Sequence, residues 1–300
     1  MARTRFRGDR GLTLRMTGVS FGLGLLYVAF GAFLIQGLGL GLVGLVIVLA
    51  MSWGQWYFSD TLALRSMGAK EVSPEQAPEL HAMIDRLCAL ADMPKPRVAV
   101  SVTDMPNAFA TGRSPGHSAV CVTTGIMQRL DAEELEGVLA HELSHVANRD
   151  VTVMTVASSL GLLAGFITRW GMYAGNSFGG RNSKNGGAAF LVVFVVSMVV
   201  YAISFVLTRS LSRYRELSAD RSGAYLTGRP SKLSSALVKI SGEMARIPNK
   251  DLREGQAISA FFFAPAINRE SISSLFSTHP PLEQRLDQLA RVSAELSEPV

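Results

Sequence analysis

Three stretches of the 300-residue chain contain no Asp, Glu, Lys or Arg: Met16 to Ser59, Val151 to Thr168 and Asn185 to Thr208. Each reaches or exceeds the length of roughly 20 apolar residues, give or take a few, that carries a helix across about 30 Å of hydrocarbon. As one straight helix the 44 residues of the first stretch would reach about 66 Å, twice that thickness, so this stretch must fold back. The turn is expected near Gln36-Gly37-Leu38-Gly39-Leu40-Gly41, where a polar residue and three glycines loosen the backbone. The pattern therefore predicts four spans in two hairpins: residues 17–35 with 39–58, and 151–171 with 188–208. The first is too long for a cleaved leader, and no small-residue cleavage site separates it from the second.

Between and after the hairpins the periodicity changes. Residues 75–92 place Leu80, Met83, Ile84, Leu87 and Leu90 at helical spacing behind Pro78. Pro94 and Pro96 end that helix, and β-branched runs at 97–102 and 118–124, with an extended piece at 107–112, predict a small sheet of about three strands. Asp131-Ala-Glu-Glu has the form of a capping box, with acids in the positive first turn, and starts a helix expected to reach about Asn148. Further helices are expected at 211–227, 231–246 and 282–296. Residues 248–278 show no clear period, and 175–187 form a polar, glycine-rich loop.

Charge adds orientation. Residues 1–15 carry Arg3, Arg5, Arg7, Arg10 and Arg15 against Asp9, so the N-terminus is expected in the cytoplasm, and with four spans so are 59–150 and 209–300. Arg181 and Lys184 in the outer loop run against this assignment, but Arg209, Arg213 and Arg215 flank the fourth span on the cytoplasmic side. The net charge of +5 is then accounted for by cationic membrane flanks, and no nucleic-acid partner is inferred. Cys88 and Cys121 have no paired spacing and are read as thiols in a reducing compartment.

The chemistry lies in the stretch Val138-Leu-Ala-His-Glu-Leu-Ser-His-Val-Ala-Asn-Arg-Asp150. His141 and His145 stand four apart on a helix, so both imidazoles project from one face about 6 Å apart and can hold one tetrahedral ion. Glu142 points roughly 100° round the helix, where it can reach a water on that ion. Zinc suits such ligands and lowers the pKa of a bound water from about 15.7 to about 7. Glu142 would then accept the water's proton and deliver it to the leaving amine. By composition alone H-E-x-x-H arises in on the order of one chain per hundred, and chance does not choose a capped amphipathic helix.

A catalytic zinc needs a third protein ligand. Arg215-Glu-Leu-Ser-Ala-Asp220 offers Glu216 and Asp220 on one helix face, among Ser218, Ala219, Ser222, Gly223 and Ala224, which are small enough for close approach. Asp220 would then accept the free N–H of a ligand histidine. His279, before Pro280-Pro281, is a rival third ligand or a donor to the oxyanion of the tetrahedral intermediate. Asn107-Ala-Phe-Ala110 lies where an edge strand could pair with an extended peptide substrate, with Asn107 available to hydrogen-bond it. His81 and His117 have no motif around them and read as ordinary surface or loop residues.

In their order, "NAFATG", "VLAHELSHVANRD", "RELSAD" and "STHPPLEQRL", with one hairpin before the first and another between the second and third, resemble the HtpX proteases of bacterial membranes. More distantly they resemble the prenyl-protein-processing zinc endopeptidases of eukaryotes. The resemblance implies one zinc per subunit held by His141, His145 and Glu216, with Glu142 as base, Asp220 behind a ligand, and Asn107 and His279 beside the substrate. It also implies cleavage of misfolded or damaged membrane proteins at the cytoplasmic face of the inner membrane, in quality control under stress. Self-cleavage is a further expectation.

The expected fold is thus a mainly α-helical integral membrane protein with a zincin-like α+β catalytic part. Its segments are a basic N-terminus (1–16), a hairpin (17–58), a catalytic part with H-E-x-x-H (59–150), a second hairpin (151–208) and a catalytic part with the third ligand (209–300). Two other readings are a protease with its metal inside a span and a membrane scaffold that binds metal without hydrolysis. Glu133, Glu134, Glu136, Arg149 and Asp150 around the motif argue against the first. The near absence of ionisable residues in the spans argues against the second.

Overall fold

The computed structural model describes residues 10–38, 56–155, 186–244 and 280–297, with scattered positions between 46 and 54 and at 157 and 164. Along the chain run α1 (Arg10–Leu38), α2 (Ser59–Ser66), β1 (Lys70–Glu71), α3 (Pro78–Ala91), β2 (Arg97–Ser101), β3 (Ala108–Ser114) and β4 (His117–Thr123). Then follow α4 (Thr124–Arg129), α5 (Ala132–Ala147), α6 (Gly186–Thr227), α7 (Pro230–Met244) and α8 (Leu282–Ser297). The described residues divide into two compact units, one drawn from Met1–Thr13, Tyr57–Thr152 and Ser212–Val300, the other from Leu14–Trp56 and Val153–Leu211.

Among the described residues, Leu14–Phe33 of α1 and Leu191–Thr227 of α6 are the two helical stretches long and apolar enough to cross a bilayer. Their large apolar side chains are not confined to a packed face: Leu23 and Phe30 on α1 and Val193 and Val200 on α6 are buried, while Phe21, Leu25 and Val28 on α1 and Leu191, Val195, Met198 and Val206 on α6 are exposed. Such a helix suits lipid rather than water. The predicted spans 39–58 and 151–171, and the turn after Leu38, lie mostly outside the described residues.

One expected boundary is absent. Residues 188–208 and 211–227 are not separate helices but parts of α6, which runs unbroken over 42 residues. Nothing between Ala188 and Ser222 is a proline or glycine, so the backbone has no reason to stop where the composition turns from apolar to charged. At about 63 Å the helix is twice as long as the hydrocarbon layer is thick, so only part of it could lie within one, and its charges begin at Arg209.

The first unit is built on a mixed sheet in the order β1-β2-β4-β3, with β2 and β4 parallel and the other pairs antiparallel. It has four strands where the sequence predicts about three. The additional strand, Lys70–Glu71, is two exposed residues long and shows no apolar alternation; only its pairing with Val100 and Ala99 defines it. Residues 107–112, expected as an extended piece, supply most of β3, which among the described residues lies at the sheet edge and pairs with β4 alone.

Both faces of the sheet are covered. On one side Leu80, Ile84 and Leu87 of α3, Val138, Leu139 and Leu143 of α5 and Leu233, Leu237 and Ile240 of α7 pack with Val98, Val120 and Val122. On the other, Ala63 and Leu64 of α2 meet Ala99, Phe109, Ala119 and Cys121. Burial on two faces explains why β4 is a nearly continuous apolar run. His81, read from sequence as a surface residue, is buried on α3, with Nε2 3.0 Å from the Val72 carbonyl oxygen. It is a structural histidine bonded through one ring nitrogen, and its place on the inner side of α3 follows from Leu80 and Ile84 beside it. His117, at the start of β4, is exposed as expected.

Candidate active site

The helix that carries the motif begins as its sequence dictates. The Glu134 amide donates to Asp131 Oδ1 at 2.8 Å, and the Asp131 amide donates to Glu134 Oε2 at 2.9 Å, which closes the capping box. Glu134 also meets Ser235 Oγ at 2.6 Å and Lys239 Nζ at 2.7 Å, so the start of α5 is tied to α7. With its first turn fixed and Val138, Leu139 and Leu143 in the core, α5 has one rotational setting, and that setting aims His141 and His145 the same way.

Their Nε2 atoms lie 3.2 Å apart. Glu216, on α6, brings Oε2 to 3.6 Å from His141 Nε2 and Oε1 to 3.4 Å from His145 Nε2. A tetrahedral ion with donor atoms at about 2.1 Å requires donors about 3.4 Å from one another, so these three side chains fit zinc. Their chemistry fits as well. His141 Nδ1 lies 2.9 Å from Asp220 Oδ1 and His145 Nδ1 lies 2.5 Å from Asp150 Oδ2. Each carboxylate draws the ring proton to Nδ1 and leaves the Nε2 lone pair facing the other ring and Glu216. Three lone-pair donors so close together are mutually repulsive unless a cation or protons lie among them.

Close approach of the two helices rests on Gly223. A Cβ there would stand 2.8 Å from the His141 amide nitrogen and 3.1 Å from its Cα. Behind the site, Arg285 of α8 donates from Nε and Nη2 to the two oxygens of Asp220, at 2.7 and 2.6 Å, and its Nη1 lies 4.0 Å from Glu216 Oε2. Asp220 and Arg285 are both buried, and although burial alone would raise the Asp220 carboxyl, the guanidinium holds it below the usual carboxylate range. Asp220 is thus ionised and can orient His141.

Glu142 is buried, and burial raises its carboxyl above the usual range. Its Oε2 accepts from the Ala110 amide at 2.9 Å, which fixes the carboxylate beside the edge strand. Asn107 is fully buried just before β3, with its amide donating to Thr123 Oγ1 at 2.9 Å and its carbonyl accepting from the Thr123 amide. The structure therefore brings together His141, Glu142, His145, Glu216 and Asp220, and sets Asn107 just before the strand whose Ala110 meets Glu142. His279 lies outside the described residues.

Three residues of the site are not singled out by the sequence. Arg215 reads there as a cationic membrane flank, but it is only 3% exposed and forms an ion pair with Asp150. Asp150 reads as one of the charges around the motif, yet it holds His145. Arg285 sits in a helix recognisable only by its leucines. The one local hint is that Asp150 follows His145 by a single helical turn and a bend, at Arg149 with φ 56°.

Known proteins resemble this chain over most of its length. The model of peptidase family M48 matches residues 74–293. A protease HtpX homolog 1 from Streptomyces coelicolor is 57% identical over 296 residues, which cover 98% of this chain and 97% of that protein. A protease HtpX homolog from Moorella thermoacetica is 53% identical over 297 residues, 99% of each chain. The crystal structure of Ste24p from S. mikatae matches with a TM-score of 0.55 at 17% identity, over 94% of this chain and 67% of that one, a likeness of fold.

Proposed function

The chain belongs to peptidase family M48, a family of metalloendopeptidases, and from that premise we propose that it is a multi-pass zinc endopeptidase of the HtpX type. In this reading it cleaves misfolded or damaged membrane proteins on the cytoplasmic side of the inner membrane, in quality control under stress. The observation that carries the hydrolytic part is the convergence of His141, His145 and Glu216 beside the buried Glu142.

His141, His145 and Glu216 hold the metal, and Asp220 orients His141. When bound, zinc supplies the Lewis acidity that polarises the scissile carbonyl and acidifies a water. The Glu142 carboxylate would take a proton from the attacking water and return it to the leaving amine; a carboxyl raised by burial is better matched to this exchange near neutral pH than an exposed one. An extended substrate adds to the free edge of β3. Because the Asn107 carbonyl faces Thr123 of β4, the Ala108 and Ala110 amides face away from β4, as the bond from Ala110 to Glu142 requires. Asn107 helps to hold that substrate, and His279 donates to the oxyanion.

The N-terminus, both catalytic parts and the C-terminus are cytoplasmic in this reading, with four spans in two hairpins. The arginines before residue 16 support the orientation. A metal site inside a span is disfavoured because α5 packs on the sheet and on α7 through Val138, Leu139 and Glu134.

The test uses full-length protein in detergent with an unfolded membrane protein as substrate. Glu142→Gln is expected to bind zinc as wild type does and to cleave about 10²–10⁴-fold more slowly. Zinc binding together with wild-type cleavage would refute the mechanism. Accumulation of full-length Glu142→Gln beside a processed wild type would establish self-cleavage, and labelling of a cysteine introduced at residue 117 from either side of sealed vesicles tests the orientation.

A further inference from the structure

We infer that Asp150 and Arg215 form a buried positioning pair that sets two of the three metal ligands at once, an inference that rests on the reading of His145 and Glu216 as zinc ligands. Asp150 Oδ2 lies 2.5 Å from His145 Nδ1, and the other carboxylate oxygen, Oδ1, is ion-paired with Arg215. Asp150 is 7% exposed and Arg215 is 3% exposed. Arg215 precedes Glu216 directly on α6.

The geometry gives each oxygen a separate task. Through Oδ2 the carboxylate fixes the proton of His145 on Nδ1 and the plane of the ring, so that Nε2 faces Glu216. Through Oδ1 it anchors the residue next to Glu216, which limits rotation of α6 about its own axis. A helix turned by one residue's share, roughly 100°, would carry Glu216 away from both histidines. His141 has its own arrangement in Asp220 and Arg285, so each histidine has a carboxylate and each carboxylate an arginine. The two arginines come from α6 and α8, elements distant in sequence from α5, and neither has a role in the proposed proton transfer.

A carboxylate this well enclosed without its cation would be costly, as would the arginine alone. Removing one partner therefore confuses loss of positioning with loss of folding. The decisive comparison is between two double variants in which the charge pair is gone from both: Asp150→Asn with Arg215→Met, and Asp150→Ala with Arg215→Met. Asparagine keeps an oxygen that can accept from His145 Nδ1, and alanine does not.

Zinc affinity of the full-length protein is measured by competition with a chromogenic chelator, alongside thermal melting of the zinc-free forms. The alanine double variant is expected to bind zinc about 10–100-fold more weakly than the asparagine one, with the two zinc-free melting temperatures alike. At saturating zinc KM for a peptide substrate is expected to be the same in both, because neither residue touches substrate. Equal zinc affinity in the two doubles, or a difference in affinity matched by a difference in zinc-free melting, overturns the inference. His145→Ala and Glu216→Gln serve as controls. If these retain wild-type zinc affinity, the ligand assignment itself fails; if they lose it while the two doubles remain equal, only the positioning role fails.

Discussion

Gly223 of α6 lies against the backbone of His141, so closely that a Cβ at position 223 would stand 2.8 Å from the histidine's amide nitrogen. No side-chain rotation can relieve that contact, because the neighbour is main chain. Gly223→Ala is therefore expected to separate α6 from α5, at a cost of about 1–3 kcal/mol in stability, and to weaken zinc binding as Glu216 moves off. Melting temperature and zinc content of purified protein check this. A Gly223→Ala protein with wild-type values in both would mean that the two helices do not need this approach.

Arg285 neutralises Asp220 in a site where neither is in contact with water. Arg285→Met leaves a buried carboxylate without its cation and is expected to destabilise the protein by about 3–5 kcal/mol. Adding Asp220→Asn to that variant should recover part of the stability, since the lone charge is gone. It should not recover zinc affinity, because the amide holds His141 less firmly than the carboxylate does. A thermal melt of the three proteins separates the two effects.

The start of α5 should respond to acid. The Glu134 amide and Lys232 hold the Asp131 carboxyl below its ordinary value; Lys232 and Arg229 do the same for Glu133. A depressed carboxyl means that the folded form binds fewer protons than the unfolded one. The stabilising contribution is then complete above the unfolded values, about 3.9 to 4.3, and is lost as pH falls through the lower folded values. The stability gap between wild type and Asp131→Ala is accordingly expected to be wide at pH 7 and to narrow towards pH 3. A gap that stays constant or widens in acid contradicts the role of the ionised cap.

Cys88 and Cys121 should be inert in the folded protein. Burial pushes the Cys88 thiol up to about 11, helped by Asp85, and burial pushes Cys121 up to about 12. The reactive thiolate is scarce at pH 8 in both cases, and both residues are buried. A thiol reagent is expected to label neither in the native protein and both after denaturation. Fast labelling of native protein would show that this part of the core opens readily.

What the sequence discloses about the site depends on the range of the interaction. His141, Glu142 and His145 share one capped helix, so their common direction follows from 3.6-residue periodicity alone. Glu216 and Asp220 are recognisable because four-residue spacing coincides with a run of small side chains, and the His141 backbone gives Gly223 a reason for being small. Asp150, Arg215 and Arg285 are different, since a cation beside an apolar stretch reads as a membrane flank until a buried carboxylate is found against it. The same limit hid β1, which exists only as a partner of β2, and the continuity of α6, where a change in composition was mistaken for a change in backbone. Both the apolar character of α1 and α6 and the helical start at Asp131 are, by contrast, local properties and were readable.

The parts of the site arrive far apart in time during synthesis. Glu216 leaves the ribosome about 70 residues after His145, and Arg285 about 140 residues after it. A nascent chain that already displays the two histidines and their glutamate lacks the third donor, and for longer still lacks the cation that keeps Asp220 ionised. With the roles proposed for these residues, the site gains its full set only once Arg285 of α8 has reached Asp220 of α6, so its assembly follows synthesis of that helix.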